Sequence, residues 1–238
     1  MGRRTPEEYK GLALSFPRAN RALDSLSPTF PPRPAVVLGI LSAVGLGGLA
    51  PSRGAGLDPA ALLTWLALAA TALGVLAGAW LPRATALLVT LPWWAAVEGL
   101  GRRAPGALPD PTGAWWAAAG LFTLGWGAGC LWRHGAVRIA GAALLISGLL
   151  AALPSGGGRL AQPWPPGAAA RLLDLSPVAI VLECGGLDFM RHPAVYGPVG
   201  TMDIGPELRA PWRATTAAVP LLLLGAALAG AASLRGAR

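Results

Sequence analysis

AALLTWLALAATALGVLAGAWL, the run from Ala60 to Leu81, carries no charged side chain. As a helix rising about 1.5 Å per residue it is long enough to cross a hydrocarbon core about 30 Å thick. Backbone N–H and C=O groups in lipid must be satisfied within their own segment, so the run is predicted to be helical. Within it, Gly74-Val-Leu-Ala-Gly78 has the small-xxx-small spacing that lets a second helix approach closely. Working outward, comparable runs occupy Ala35–Ala50, Ala84–Leu100, Ala114–Trp132, Ala136–Leu153 and Thr216–Leu234. The fold class read from them is all-α: a polytopic membrane protein with six transmembrane helices.

Composition agrees. The 238 residues are 54% hydrophobic and 13% charged, with mean hydropathy +0.54, against about 25% charged in a soluble domain. Alanine, glycine and leucine dominate the runs, and β-branched residues are too sparse for a barrel of alternating strands.

The connections follow from proline, glycine and charge. Pro51–Pro59 reads as a turn, Pro82-Arg83 as a tight hairpin, Gly101–Gly113 as a polar loop, and Arg133-His134 as a turn. Pro92 is expected to kink the third run. Four regions result: a basic arm at 1–34, five spans at 35–153, a long segment at 154–213, and the last span with its tail at 214–238.

The net charge of +8 is almost all arginine, Lys10 being the only lysine. These residues are scattered over chain ends and loops, which argues against a nucleic-acid partner and for flanks held against anionic lipid. With the N-terminus inside, the inner segments carry Arg3, Arg4, Lys10, Arg18, Arg21, Arg33, Arg83, Arg133, Arg138, Arg235 and Arg238; the short outer loops carry Arg53, Arg102 and Arg103. The positive-inside rule therefore predicts both termini in the cytoplasm of a cell (inner) membrane protein, with 154–213 extracytoplasmic. Trp80 and Trp132 fall beside inner turns and Trp115-Trp116 at an outer helix start, as interfacial anchors should. Trp93 and Trp94 are expected between helices. Cys130 and Cys184 have no metal-ligand spacing and fall on opposite sides, so both are expected as free thiols.

The N-terminal arm opens with Thr5-Pro6-Glu7-Glu8, a cap, a first-turn proline and a capping-box glutamate. Tyr9, Leu12, Ala13 and Phe16 then share one helical stripe. A short amphipathic helix on the inner membrane surface is predicted.

Chemistry-bearing motifs are few. There is no glycine-rich phosphate loop, HExxH, cysteine cluster or serine nucleophile elbow, and His134 and His192 are the only histidines. No paired-histidine haem or metal site is expected. Glu98 and Arg138 lie near span ends and read as snorkelling charges, although an acid within a span is a functional hypothesis by default.

The remaining information is in Asp174–Pro206, DLSPVAIVLECGGLDFMRHPAVYGPVGTMDIGP. Residues 154–170, rich in Gly and Pro, are expected to form no long regular element, and Ala168–Leu175 a helical turn or two. Ser176 is the expected cap and Pro177 the first residue of a second short helix. Val178–Leu182 is apolar but too short to span; Glu183 ends it and Gly185-Gly186 breaks it. Such a helix either dips into the outer leaflet or packs as a lid over the bundle.

Leu175-Ser176-Pro177-Val178-Ala179-Ile180-Val181-Leu182-Glu183, with Arg191 downstream, resembles the re-entrant motif of type-2 ABC exporter permeases. The six-span topology, both termini inside and an amphipathic helix before the first span are also similar to that family. The resemblance implies a membrane-spanning permease subunit that holds no cofactor, metal or catalytic residue of its own. It implies a separate ATP-binding subunit as partner, and a homodimer or a heterodimer with another permease subunit. The coupling helix would carry Glu7, Glu8, Tyr9, Leu12 and Phe16; the re-entrant motif would comprise Ser176, Pro177, Glu183 and Arg191. A second resemblance points elsewhere. Arg191-His192-Pro193-Ala194-Val195-Tyr196-Gly197 is similar to the RHPxYxG motif of isoprenylcysteine-type membrane methyltransferases. It implies an S-adenosylmethionine-dependent enzyme with Arg191, His192 and Tyr196 at its site. A non-catalytic accessory subunit of a membrane complex is the third reading open at this level.

Overall fold

The computed structural model describes residues 59–81, 83–103, 108–157, 166–187 and 212–236. The first predicted span, Ala35–Ala50, and the N-terminal stretch with Glu7, Glu8, Tyr9, Leu12 and Phe16 lie outside the described residues. Within them every regular element is helical. The order is α1 (Pro59–Trp80), α2 (Arg83–Ala86), a 3-10 segment (Leu87–Thr90), α3 (Leu91–Arg103), α4 (Pro111–Leu131), a 3-10 turn (Arg133–Gly135), α5 (Ala136–Gly157), α6 (Pro166–Leu175), α7 (Pro177–Cys184) and α8 (Ala214–Gly236).

Three stretches among the described residues are long and apolar enough to cross a membrane: Pro59–Trp80, Arg133–Ala152 and Ala214–Arg235. The 21-residue α4 is not one of them, because its glycines and indoles dilute its hydropathy. It is instead the hub, lying between α1 on one side and α8 on the other.

Glycine makes that packing possible. A β-carbon on Gly74 would overlap the Phe122 carbonyl, and one on Gly78 the Trp126 carbonyl; in return, β-carbons on Gly125 and Gly129 would overlap the carbonyls of Thr71 and Val75. The Gly74–Gly78 spacing thus meets a helix, and that helix answers with its own glycines. On the opposite side Gly127 meets the Gly225 carbonyl and Gly225 the Thr123 carbonyl. Residue numbers rise together across both contacts, so α1, α4 and α8 run parallel. Trp93 against Phe122 and Glu98 against Thr112 make α3 antiparallel to α4. Ala136 and Ala140 pack on Val75 near the end of α1, while Ala151 packs on the core cluster that contains the start of α1, so α5 is also antiparallel.

The third predicted run is helical without a gap but changes type: α2, the 3-10 segment and α3 follow one another directly. Pro92 has no N–H to donate to the Leu88 carbonyl, and the chain tightens ahead of it: the Leu91 N–H bonds to Leu88 O, closing a 3-10 turn. The predicted loop Gly101–Gly113 is shorter than expected. α3 runs to Arg103, and α4 starts at Pro111 because Asp110 caps it, its Oδ1 accepting from the Gly113 N–H at 2.8 Å. α5 likewise runs on to Gly157, and α6 begins at Pro166, so the segment after the fifth run is more helical than its Gly and Pro content predicts. Trp93 is 1% exposed and stands edge-on to Phe122 at 5.5 Å. Trp94, one position on and about 100° round the helix, is exposed.

Hydroxyls inside the helices bond their own backbone: Thr64 to Ala60 O and Thr123 to Ala119 O, both 2.7 Å, and Ser233 to Ala229 O at 3.0 Å. The outer faces are apolar. Leu144, Leu145, Ile146 and Leu149 of α5 and Val219, Leu223 and Leu224 of α8 are exposed, a surface suited to hydrocarbon rather than water.

Candidate functional site

α6 and α7 form a helix–break–helix between α5 and α8. The break has a local cause. Pro177 disfavours the helical region for the residue before it, and Ser176 accordingly sits at φ −72, ψ 120. The backbone of Ser176 remains satisfied on both sides: its N–H donates to Leu173 O and its carbonyl accepts from the Ile180 N–H, each at 3.0 Å. Its hydroxyl does not. Ser176 occupies the predicted cap position without making the cap bond, and its Oγ is buried with no partner.

α7 has eight residues, about 12 Å of helix, far short of a bilayer. Pro177, Val178, Ala179, Ile180, Val181, Leu182 and Cys184 are all buried, against α1, α4, α5, α6 and α8. The helix packs at the end of the bundle where α1 and α4 begin.

Its C-terminus is closed by a Schellman motif. Leu187 N–H bonds to Leu182 O at 2.9 Å and Gly186 N–H to Glu183 O at 3.0 Å, with Gly186 at φ +78. The predicted Gly185-Gly186 break is therefore a specific cap, and only the second glycine needs the left-handed conformation. Glu183 lies one residue inside the helix end rather than at it. The cap is tied to α4: Asp110 N–H donates to Gly185 O at 2.9 Å. A β-carbon on Gly113 would overlap the Cys184 carbonyl, so the negative end of α7 meets the positive end of α4, a favourable dipole arrangement.

α6 is held at the same end. Trp212 Nε1 donates to the Asp174 carbonyl at 3.1 Å, and Arg171 stands 3.8 Å from the Asp174 carboxylate. Since Arg171 is mostly exposed, that pair contributes little. Glu98 accepts from the Thr112 hydroxyl at 2.8 Å, joining α3 to α4 at this end. His134 and Arg138 are exposed.

Neither cysteine is in a disulfide, and both are buried. Cys130 donates to Gly78 O at 3.5 Å. Cys184 is at the level of Gly113, so about 26 Å of α4 separates the two thiols, far beyond disulfide reach. Burial pushes the Cys184 thiol up to about 12, with the neighbouring Glu183 and Asp110 carboxylates adding to the effect. At neutral pH this keeps it a protonated thiol, the poorly nucleophilic form. Among the described residues no group of three or more His, Cys, Asp and Glu side chains could hold a metal ion.

Of the motif residues, Ser176 and Pro177 lie at the buried elbow, while Glu183, half-buried, lies at the far end of α7. Arg191, His192 and Tyr196 lie outside the described residues. Asp110 and Gly113 were missed by the sequence reading, although Asp-Pro ahead of an apolar run is a helix-start signal that could have found them. No family model, curated protein or solved structure matches this chain.

Proposed function

We propose that the chain is the membrane-spanning permease subunit of an ATP-driven exporter of the type-2 ABC kind. It crosses the inner membrane six times with both termini in the cytoplasm. The observation that carries this reading is the α6–α7 pair, broken at Ser176 and capped at Gly186, with the short buried α7 preceding the last long apolar helix in the chain. The alternating directions of α1, α3, α4 and α5, and the return of α8 parallel to α4, support the same topology. The work of such a subunit is conformational. ATP is hydrolysed by a separate partner, and the stroke reaches the bundle through the N-terminal stretch with Glu7, Glu8, Tyr9, Leu12 and Phe16. Only Pro82-Arg83 separates the second and third predicted spans, which leaves little chain for a coupling helix there.

The test is purification of the tagged chain from its native membrane in mild detergent. The expected result is co-purification of an ATP-binding subunit whose hydrolysis depends on this chain. A stable assembly with no ATP-binding subunit overturns the reading. Reporters fused to the two ends should both be active in the cytoplasm; activity of either one only outside sinks the six-span topology.

A further inference from the structure

The two ends of the bundle differ in charge and in aromatic exposure. Because Gly78 abuts Trp126 and Cys130, the end of α1 at Trp80 is level with Trp132 just past α4. Because Gly127 abuts Gly225 and Leu228, Arg235 of α8 is level with the 3-10 turn Arg133–Gly135. Trp80 is 55% and Trp132 49% exposed, and Arg133, His134, Arg138 and Arg235 are exposed. The acids among the described residues, Glu98, Asp110, Asp174 and Glu183, all belong to elements at the opposite end. There they are accompanied by Arg102, Arg171 and Arg213.

We infer that the Trp80–Trp132–Arg133 end is a docking surface for anionic phospholipid headgroups. Arg133 and Arg138 take the phosphate, since a guanidinium offers paired donors to phosphate oxygens. The indoles of Trp80 and Trp132 sit at headgroup level, apolar body towards the chains and N–H towards water. Charge complementarity selects the occupant: three exposed arginines on one level, with no acid among the described residues beside them, suit a fixed negative surface. The exposed apolar faces of α5 and α8 running away from this end would carry the acyl chains. The inference stands apart from the transport reading, since it needs only that the helices cross a bilayer.

The experiment uses the full chain in nanodiscs of phosphatidylcholine mixed with phosphatidylglycerol, with co-retained lipid counted by native mass spectrometry. Phosphatidylglycerol should be enriched over its share of the bilayer, and the enrichment should fall as salt rises. The double variant R133Q/R138Q should lose about fivefold in enrichment per charge removed. R102Q, also exposed but at the opposite end, should keep it. All these positions are exposed, so the variants should fold; the salt titration of the unaltered chain tests the idea without them. Equal retention of the two lipids overturns the inference. So does loss in R102Q as large as in the double variant, or charge-dependent capture of a soluble acidic protein at this end with no lipid selectivity.

Discussion

The backbone N–H of Asp110 donates to the carbonyl of Gly185 at 2.9 Å, while the carboxylate of Asp110 accepts from the Gly113 N–H at 2.8 Å. One residue therefore starts α4 and holds the end of α7. The two bonds are separable, because only the second needs the side chain. Asp110→Ala should cost about 1 kcal/mol, the worth of a helix cap, and Asp110→Asn much less. Thermal unfolding in detergent would measure both, and an alanine variant as stable as the parent would remove the cap from the account.

The α1–α4 seam should be intolerant of any side chain. Gly78→Leu and Gly129→Leu each drive atoms into a facing carbonyl and should cost at least about 1–3 kcal/mol. Gly141 has nothing within 4 Å of a built β-carbon. There, Gly141→Leu should be neutral or stabilising by up to about 1 kcal/mol from helix propensity. Equal losses at all three sites would mean that the seam is not what the glycines serve.

Removing the orphan hydroxyl at the elbow should do no harm. Ser176→Ala deletes a buried group without a partner and should leave stability unchanged or raise it by about 1–2 kcal/mol. A clear fall in melting temperature would show that the hydroxyl has a partner in the membrane.

Cys184 should resist alkylation. In a Cys130→Ala background, maleimide at pH 7.5 should label the denatured chain and spare the native one. The sign of the pH dependence follows from the thiol's rise to about 12. The folded chain keeps the proton above the ordinary thiol range, where the unfolded chain loses it. Stability should fall as pH rises through that window towards 12, and be unaffected by this group below it. Fast labelling of the native protein would show that α7 is not buried.

Much of the helical layout was legible in the residues. The run Ala60–Leu81 predicts α1 to within a residue at each end, because a long uncharged stretch leaves its backbone no other partner in lipid. The Gly74–Gly78 spacing identified a contact face but not the neighbour, since small residues permit close approach without specifying what approaches. The Trp93-Trp94 pair shows the limit more sharply. Both were expected between helices, yet adjacent residues on a helix face different directions, and composition cannot say which direction is occupied. At the elbow, Ser176-Pro177 and Gly185-Gly186 announced the break and the cap, because both are local backbone effects of proline and glycine. That Ser176 would forgo its cap bond, and that Asp110 would reach Gly185, was not visible.

By itself the sequence determined that the described chain is helical and where most of its helices start and stop; its apolar runs predict six spans, and three helices among the described residues have the length and greasiness to cross a membrane. Those properties depend on hydropathy, caps and breakers within a turn or two of each residue. Only the tertiary structure decided that α4 is the hub, that α1 and α8 run parallel along its two glycine faces, and that α7 is buried by protein at every residue but Glu183. These depend on the register between segments far apart in the chain, and register is set by which surfaces fit, a property no single segment carries.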